Sequence, residues 1–437
     1  MHPTISFLGN FLDELKRKRV KIVPLRYKPL SEEFAFEGDY DFVSSFESVN
    51  EILKTLFLLA SSANVNFTIN RLRFGKLAIT IYSGIDDKTI LLEIWNFLDV
   101  KYDSALPLIL WEDIEPVLIF DEEKGYCFPL EIESLYYLSH LKSKKKELSV
   151  PLIQKRLHHY KDALVAQNSD ISILYDELLS AKIDRDEAGS RANILLHEHK
   201  ILFGKDDTKR SGEVQKLRMR TSLHRIYAQI LKKNKIFPVV GPDGVGKTSI
   251  IEALKSKVAS KIKYYRFKGL FRHTLLYKII RPFLFKKKDK MEKNQYDDIN
   301  GVWMFYIALL HFPFLLLARA ISAKIYFSDR YFHDWILQDT RFLDKRASLR
   351  TNWKTLLHRA PNSYWFIHLD APNEVILSRK DELNNDAIDT YRNDIFIMYL
   401  EKPSLLYSYI NTSLPLEICT DNLLHLSKLV GLKEKKS

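Results

Sequence analysis

Cysteine is scarce in this chain, and no export signal is visible. Of 437 residues two are cysteines, Cys127 and Cys419, which lie far apart and exclude a disulfide-stabilised scaffold. Free cysteines are typical of compartments in which thiols stay reduced. The opening residues 1–15 lack the charged and long apolar regions of a signal peptide. We therefore expect a cytoplasmic protein.

Glycine and proline are also infrequent, with 14 and 15 residues, and neither a repeat nor a low-complexity tract is present. Hydrophobic residues form 46% of the chain and aromatic residues 12%, which excludes a largely disordered or fibrous protein. The length exceeds that of one ordinary hydrophobic core. We therefore expect two or three domains.

Long apolar runs are rare, and one alone approaches membrane-spanning length, residues 302–321. It contains His311, Pro313 and Arg319, and a predicted strand follows it at once. These features favour a buried helix over a membrane span.

Acidic residues are outnumbered by basic ones, 55 against 67, and the formal net charge is +12. Such a surface attracts phosphate-rich partners, which include nucleotides, nucleic acid and anionic lipid headgroups. The sign of the charge alone does not distinguish among these three kinds of partner.

The hydrophobic periodicity changes twice along the chain. Residues 1–130 mix short helical and strand-like patterns and predict a small α+β unit. Residues 131–233 carry apolar side chains at spacings of three and four, which predict a helical region, with a polar loop at 203–212. Residues 234–437 alternate strand and helix patterns. The fold class predicted there is α/β, with a parallel sheet covered by helices.

Four strands are predicted in this last region: Ile236–Val240, Ile262–Phe267, Ile325–Ser328 and Tyr364–Leu369. The first runs into Gly241-Pro242-Asp243-Gly244-Val245-Gly246-Lys247-Thr248, and an amphipathic helix follows. A strand, a glycine-rich loop ending in Lys-Thr and a helix are the setting of a P-loop, whose backbone wraps nucleotide phosphates. Lys247 would reach the β and γ phosphates, and the Thr248 hydroxyl would bind magnesium. The expected nucleotide-binding residues are Gly241, Asp243, Gly244, Val245, Gly246, Lys247, Thr248 and Ser249.

A carboxylate and a cation follow the third predicted strand, as Asp329 and Arg330. Open α/β sheets bind ligands at the carboxyl edge of their strands, where both side chains should lie. We expect Asp329 to hold magnesium or its water shell and Arg330 to neutralise a phosphoryl group.

From about residue 236 to 430 the chain resembles thymidylate kinases and related nucleoside-monophosphate kinases. The matching residues are the P-loop with Asp243 at its third position, Asp329-Arg330-Tyr331, and Leu369-Asp370-Ala371-Pro372 followed by Arg379. The resemblance implies ATP and Mg²⁺ as cofactors.

The resemblance also implies roles for single residues. Asp243 would contact the sugar of the phosphoryl acceptor, and Arg330 an acceptor phosphate. Asp329 would serve magnesium or the acceptor. Arg379, with Lys380 and Arg392, falls where the family has a mobile lid that closes over the phosphoryl groups and excludes water.

One segment departs from the family. The Thr-Arg-Glu-Pro-Gly-like segment that handles the acceptor is replaced by Tyr264–Arg272, and a basic stretch follows over Lys278–Lys293. Plain thymidine monophosphate is therefore not the expected acceptor. An anionic or glycosylated acceptor, such as a sugar or glycan-pathway intermediate presented at a membrane, suits a basic and aromatic surface better.

The amino-terminal unit carries Asp39 and Asp41, two residues apart before an apolar strand pattern, and a third acid, Glu93. Carboxylates at i and i+2 of a strand point to one side and can share a divalent cation. Together with Val23-Pro24-Leu25-Arg26-Tyr27, this arrangement resembles the nucleotidyltransferase fold, in which three carboxylates hold two metal ions. The role we expect for the unit is to bind or position a substrate for the kinase half, and nucleotidyl transfer is the alternative.

Three functional hypotheses follow. The first is an ATP- and Mg²⁺-dependent phosphotransferase in which Lys247, Asp329, Arg330 and Arg379 act in catalysis. The second is a nucleotide-dependent switch or scaffold that binds nucleic acid or the inner face of the membrane peripherally. The third is nucleotidyl transfer by the amino-terminal unit.

Overall fold

The structure is a computed structural model. It describes residues 2–28, 30–31, 34–63, 65–71, 73–83, 88–99, 108–198, 207–233, 236–258, 262–267, 275, 277–279, 282, 305–314, 316, 325–333, 352–380 and 384–429. The protein is a mixed α/β chain that divides into two compact units. Unit 1 comprises residues 1–59, 73–82 and 88–224, and unit 2 comprises residues 60–72, 83–87 and 225–437.

Fourteen labelled strands occur in the described part of the chain. They are β1 (Ile22–Pro24), β2 (Asp39–Ser44), β3 (Asn66–Asn70), β4 (Lys76–Tyr82), β5 (Thr89–Trp95), β6 (Phe97–Asp99), β7 (Leu108–Leu110), β8 (Ile119–Asp121), β9 (Gly125–Cys127), β10 (Ile236–Val240), β11 (Ile262–Arg266), β12 (Ile325–Asp329), β13 (Trp365–Asp370) and β14 (Leu406–Asn411).

The helices are named in the same way. They are α1 (Pro3–Arg17), α2 (Ser48–Ser62), α3 (Trp111–Ile114), α4 (Leu130–Ser143), α5 (Pro151–Ala166), α6 (Ile171–Leu179), α7 (Arg185–Glu198), α8 (Asp207–Lys233), α9 (Lys247–Lys257), α10 (Asn352–Arg359), α11 (Asn373–Arg379), α12 (Asn385–Glu401) and α13 (Leu416–Leu429). Glu115–Val117 form a short 3₁₀ helix, and residues 305–314 are also helical.

Unit 1 contains a sheet in the order β1-β2-β5-β4. β1 pairs with β2 and β4 with β5 in antiparallel fashion, whereas β2 and β5 are parallel, with Asp41 opposite Glu93. Helices α4 to α7 share a continuous apolar core that includes the buried rings of Tyr137, Tyr160 and Tyr175. Two of these phenols are anchored by hydrogen bonds, since Tyr160 donates to Glu133 and Tyr175 to the Ser134 carbonyl oxygen.

Unit 2 contains a sheet in the order β3-β14-β13-β10-β12-β11. Its last five strands are parallel, and β3 adds an antiparallel edge through its pairing with β14. Every residue of β10, β12, β13 and β14 is buried. Strands buried on both faces are the rule in parallel sheets that are covered by helices.

The predicted parallel sheet is confirmed, and its four predicted strands begin and end within one residue of β10, β11, β12 and β13. The sequence analysis did not identify β14. It also placed residues 66–70 in the amino-terminal region, whereas β3 pairs in unit 2. The predicted domain boundaries at residues 130 and 233 stay predictions.

Two further expectations concern helices. The loop predicted at 203–212 is wrong for residues 207–212, which belong to α8. Gly212 disfavours a helix by about 1 kcal/mol, but it lies in a long helix in which each further residue adds a backbone hydrogen bond. Residues 203–206 lie outside the described residues.

Of the apolar run at 302–321, residues 305–314 are helical, and Phe305, Ile307 and Phe312 are buried. The prediction of a buried helix is therefore correct for one face only, because Leu310 and Phe314 are exposed. Residues 302–304, 315 and 317–321 lie outside the described residues. Among the described residues, no helix combines the length and hydropathy needed to cross a bilayer.

A buried ion pair closes the carboxyl end of β13. Arg392 Nε donates to Asp370 Oδ2 at 2.6 Å, and Arg392 Nη2 donates to Asp370 Oδ1 at 3.0 Å. Tyr409 Oη donates to the same carboxylate at 3.0 Å. Asp370 has no exposed surface, so its charge is compensated inside the protein.

The substitution Asp370→Asn is expected to lower the free energy of unfolding of unit 2 by about 3–5 kcal/mol, because it leaves the Arg392 charge buried without its partner. Urea unfolding followed by tryptophan fluorescence measures the effect. The matched control is Asp421→Asn, which removes an exposed partner of Lys257 and is expected to cost about 0–1 kcal/mol. Equal effects of the two substitutions would contradict this account of the pair.

Candidate phosphate-binding site and acidic cluster

The loop between β10 and α9 depends on three glycines with positive φ angles. These angles are 149° at Gly241, 93° at Gly244 and 89° at Gly246, values that side chains rarely tolerate. At Gly241 a Cβ atom would lie 2.2 Å from the carbonyl oxygen of Leu369. The loop therefore requires glycine there, both for its backbone conformation and for its contact with β13.

Lys247, the first residue of α9, turns its side chain back into this loop. Its Nζ donates to the carbonyl oxygens of Gly241 at 2.8 Å and Pro242 at 2.9 Å. The same ammonium lies 3.4 Å from Asp243 Oδ1, and the side chain is buried. The backbone of the loop thus encloses a buried cation at the amino terminus of α9. A helix amino terminus favours anions, so it and the ammonium attract the same kind of ligand.

Asp243 is the anionic centre of the loop. Arg330 Nη2 donates to its two carboxylate oxygens at 2.9 and 3.0 Å, and Lys380 Nζ lies 4.0 Å away. Burial acts to raise the pKa of Asp243, but Lys247 and Arg330 outweigh it and hold that pKa below its ordinary value. The carboxyl group is therefore ionised at neutral pH and accepts hydrogen bonds.

Arg330 reaches Asp243 from an unusual backbone conformation. Its φ angle is 70°, which is rare outside glycine, and its N–H donates to the Val239 carbonyl oxygen at 3.0 Å. This turn redirects the chain after β12 and brings the guanidinium group to the loop that follows β10. Strained residues of this kind cluster at functional sites.

Asp329 ends β12 beside the same loop. The strand register places it opposite Val239 of β10 and Arg266 of β11. Its Oδ1 atom is buried and accepts no hydrogen bond from any residue that the structure describes, while Oδ2 lies 3.6 Å from the exposed Arg266 Nε. A buried carboxylate oxygen without a donor is suited to a cation or to its water shell.

The Thr248 hydroxyl lies one residue beyond Lys247. It is within 3.4 Å of the Tyr264 hydroxyl from β11. Burial raises the pKa of Tyr264 to about 12, so the phenol is neutral and can donate at physiological pH. Tyr264 was noted in the sequence only as part of an aromatic segment. The signal that could have singled it out is its place near the carboxyl end of a strand.

The other site residues expected from the sequence lie in different surroundings from one another. Val245 is buried and Ser249 is exposed. Arg379 Nη2 donates to the Thr412 carbonyl oxygen at 2.9 Å. Arg392 is held by Asp370, which differs from its expected place in a mobile lid. Most of the basic stretch Lys278–Lys293 lies outside the described residues.

Unit 1 brings together the three acids that the sequence analysis singled out. One carboxylate oxygen from each of Asp39, Asp41 and Glu93 lies within 4.8 Å of the others. Parallel pairing of β2 with β5 sets Asp41 opposite Glu93, and the two-residue spacing puts Asp39 on the same face. Three half-buried carboxylates at this separation can share a divalent cation.

Protein cations also contact this cluster. Arg26 Nη2 donates to Asp39 Oδ1 at 3.0 Å and to Asp41, and Lys76 pairs with Glu93. Burial raises the pKa of Asp41, although Arg26 opposes the rise. The sequence analysis missed Arg26 and Lys76 as partners of the acids. Their separations along the chain give no sign of the pairing.

His140 completes the arrangement from helix α4. Its Nε2 accepts a hydrogen bond from Arg26 Nη1 at 2.6 Å. Burial, together with Arg26, lowers the pKa of His140 to about 3, so the ring is neutral at physiological pH and acts as an acceptor. Cavities of about 390 and 320 Å³ adjoin the cluster, and Arg26, Asp39 and Asp41 line both.

Comparison with known proteins does not assign the chain to a family. No protein-family model matches the chain, and no curated protein matches it. The solved structure of thymidylate kinase from Candida albicans is similar at 15% sequence identity, and the match covers 46% of this chain and 96% of that chain. Its TM-score of 0.31 is too low to establish a common fold.

Gly241→Ala is expected to destabilise unit 2 by about 2–4 kcal/mol, because its Cβ would meet the Leu369 carbonyl oxygen and its φ angle is unfavourable for alanine. Thermal and urea unfolding measure the loss. The control Gly9→Ala lies within α1 with open space around its Cβ and should stabilise the protein by about 0.5–1 kcal/mol. An alanine tolerated at 241 would show that the loop does not pack as described.

Proposed function

We propose that unit 2 is an ATP- and Mg²⁺-dependent phosphotransferase. The proposal depends chiefly on the Lys247 ammonium, which is buried inside a glycine loop that needs its glycines to form. A loop of this kind between a buried parallel strand and a helix is the setting in which phosphates are bound.

The residues present suit both cofactors. Lys247 supplies a cation inside the loop, and α9 begins there with its favourable dipole. Asp329 Oδ1 has no donor among the described residues, and the Thr248 hydroxyl lies on the neighbouring helix. When bound, ATP supplies the phosphoryl group and magnesium neutralises part of its charge.

The chain's own residues then position the acceptor. Asp243 stays ionised between Lys247 and Arg330, so it can accept hydrogen bonds from acceptor hydroxyl groups. Arg330 and Lys380 place further positive charge around the same carboxylate. Tyr264 is neutral and can hold the Thr248 hydroxyl in place.

The acceptor we propose is hydroxyl-rich and anionic, a sugar or glycan-pathway intermediate rather than plain thymidine monophosphate. Asp243 supports this proposal as a hydrogen-bond acceptor for hydroxyl groups. The exposed Arg266 guanidinium also supports it, since Arg266 lies two residues after Tyr264 on β11 and so on the same face of the strand. A cation and an aromatic ring beside the phosphate loop suit a phosphorylated sugar.

Lys247→Ala is expected to lower ATP-dependent phosphotransfer at least about a hundredfold, because it removes the cation that the loop encloses. The assay measures ADP release and product formation with nucleoside monophosphates, sugar phosphates and glycolipids as acceptors. Lys255→Ala is the matched control, since Lys255 lies on the same helix, is partly exposed and pairs with Glu252. Transfer at the wild-type rate by Lys247→Ala protein would refute the proposal.

The same assay separates catalysis from a nucleotide-dependent switch or scaffold. ADP release that requires an acceptor supports phosphotransfer. Nucleotide-dependent, salt-sensitive retention on DNA or anionic vesicles, without ADP release for any acceptor, supports the switch.

A second candidate function belongs to unit 1, where the clustering of Asp39, Asp41 and Glu93 favours nucleotidyl transfer. The acids suit a divalent cation in number and spacing, and the adjoining cavities offer room for a substrate. Arg26 and Lys76 already contact the three carboxylates. A metal ion must therefore compete with these cations.

The double substitution Asp39→Asn, Asp41→Asn is expected to abolish Mn²⁺ binding to unit 1, because two of the three clustered ligands lose their charge. Calorimetric titration of the full chain with Mn²⁺ measures binding, and pyrophosphate release from nucleoside triphosphates measures transfer. Asp13→Asn, at an exposed carboxylate paired with Lys16, is the control. Unchanged Mn²⁺ binding in the double variant would remove this candidate.

A further inference from the structure

Helix α8 carries buried apolar side chains on one face and exposed ones on another. Ala228 and Leu231 are buried on one face. The other face exposes a stripe that we call the outer stripe, with exposed fractions between 41% and 61%. The outer stripe consists of Met219, Leu223, Ile226, Tyr227 and Ile230.

The regularity of the outer stripe distinguishes it from single exposed apolar residues, which are common on protein surfaces. Its members recur at spacings of three and four residues, with Ile226 and Tyr227 adjacent, so they lie on one side of the helix. From Met219 to Ile230 the stripe extends about 17 Å along the helix axis. A continuous apolar face of this length marks an interaction surface.

The charge around the stripe has one sign. The last twenty residues of α8, 214–233, contain no aspartate or glutamate. They contain six basic residues, all exposed: Lys216, Arg218, Arg220, Arg225, Lys232 and Lys233. With 3.6 residues per turn, Arg220 borders the stripe on one side and Lys233 borders it on the other, while Lys216 lies within it. Arg218, Arg225 and Lys232 lie on a different side of the helix.

We propose that the outer stripe of α8 binds an anionic lipid bilayer, with its apolar side chains at the acyl boundary and the flanking cations at the headgroups. An apolar face bordered by lysine and arginine is the pattern of helices that lie in a membrane interface. The long cationic side chains can extend toward the phosphates while their stems stay on the apolar side.

Two other occupants fit less well. Nucleic acid would complement the cations, but it offers no apolar surface to cover the stripe. A second copy of the helix would cover the stripe, but it would bring the flanking cations together without an acid in residues 214–233 to pair with them. A bilayer rich in anionic lipid satisfies both the apolar and the charged side chains.

The test is sedimentation of the full chain with vesicles of phosphatidylcholine mixed with phosphatidylserine, beside vesicles of pure phosphatidylcholine. We expect binding to the anionic vesicles alone, weakened by salt. Arg220→Gln with Lys233→Gln should weaken it about thirtyfold, from about 1 kcal/mol for each cation. Ile226→Asp with Ile230→Asp should weaken it at least about tenfold.

The matched control is Ile173→Asp with Ile194→Asp, which alters two isoleucines of comparable exposure on α6 and α7 and should leave vesicle binding unchanged. Circular dichroism verifies that each variant is folded. Lys247→Ala should also bind vesicles normally, so failure of this proposal is distinct from failure of the proposed phosphotransfer.

Three outcomes would overturn the proposal. The first is equal binding, or none, to the two kinds of vesicle. The second is unchanged vesicle binding by folded Ile226→Asp, Ile230→Asp protein. The third is a dimer of the full chain that this variant dissociates while its vesicle binding persists, which would assign the outer stripe to a second copy.

Discussion

Parallel pairing of β10 with both β12 and β13 is the constraint on which the candidate site of unit 2 depends. Because the three strands run in one direction, the loop after β10 and the Asp329 carboxylate at the end of β12 meet at one edge of the sheet. The close approach of Gly241 to the Leu369 carbonyl oxygen fixes the loop against β13. The enclosure of the Lys247 ammonium and the ion pair between Arg330 and Asp243 both depend on the meeting of these segments at one edge of the sheet.

The two acidic sites differ in how their charges are balanced. In unit 2 Asp243 is held between cations, but Asp329 keeps a buried oxygen without a donor from the described residues. In unit 1 the three clustered acids are contacted by Arg26 and Lys76. A cation that binds beside Asp329 meets an unsatisfied group, whereas one that binds in unit 1 must displace existing partners.

Sequence patterns predicted the structural features that depend on residues close together in the sequence. Apolar runs predicted β10 to β13, and the glycine spacing predicted the loop, since local conformation decides both. The pairing of β3 with β14 was not predictable, because an alternating strand pattern does not specify its neighbour. The ion pair between Arg392 and Asp370 depends on packing between segments that are distant in the sequence. For this reason the sequence predicted that Arg392 belongs to a mobile lid, whereas the structure places it in a buried ion pair.

Amide hydrogen exchange of the full chain with and without Mg²⁺–ADP tests the central claim most directly. If the loop of unit 2 binds the nucleotide phosphates, exchange should slow at the backbone amides of residues 241–249 when nucleotide is added. Protection confined to unit 1, or none at residues 241–249 at saturating nucleotide, would contradict the account.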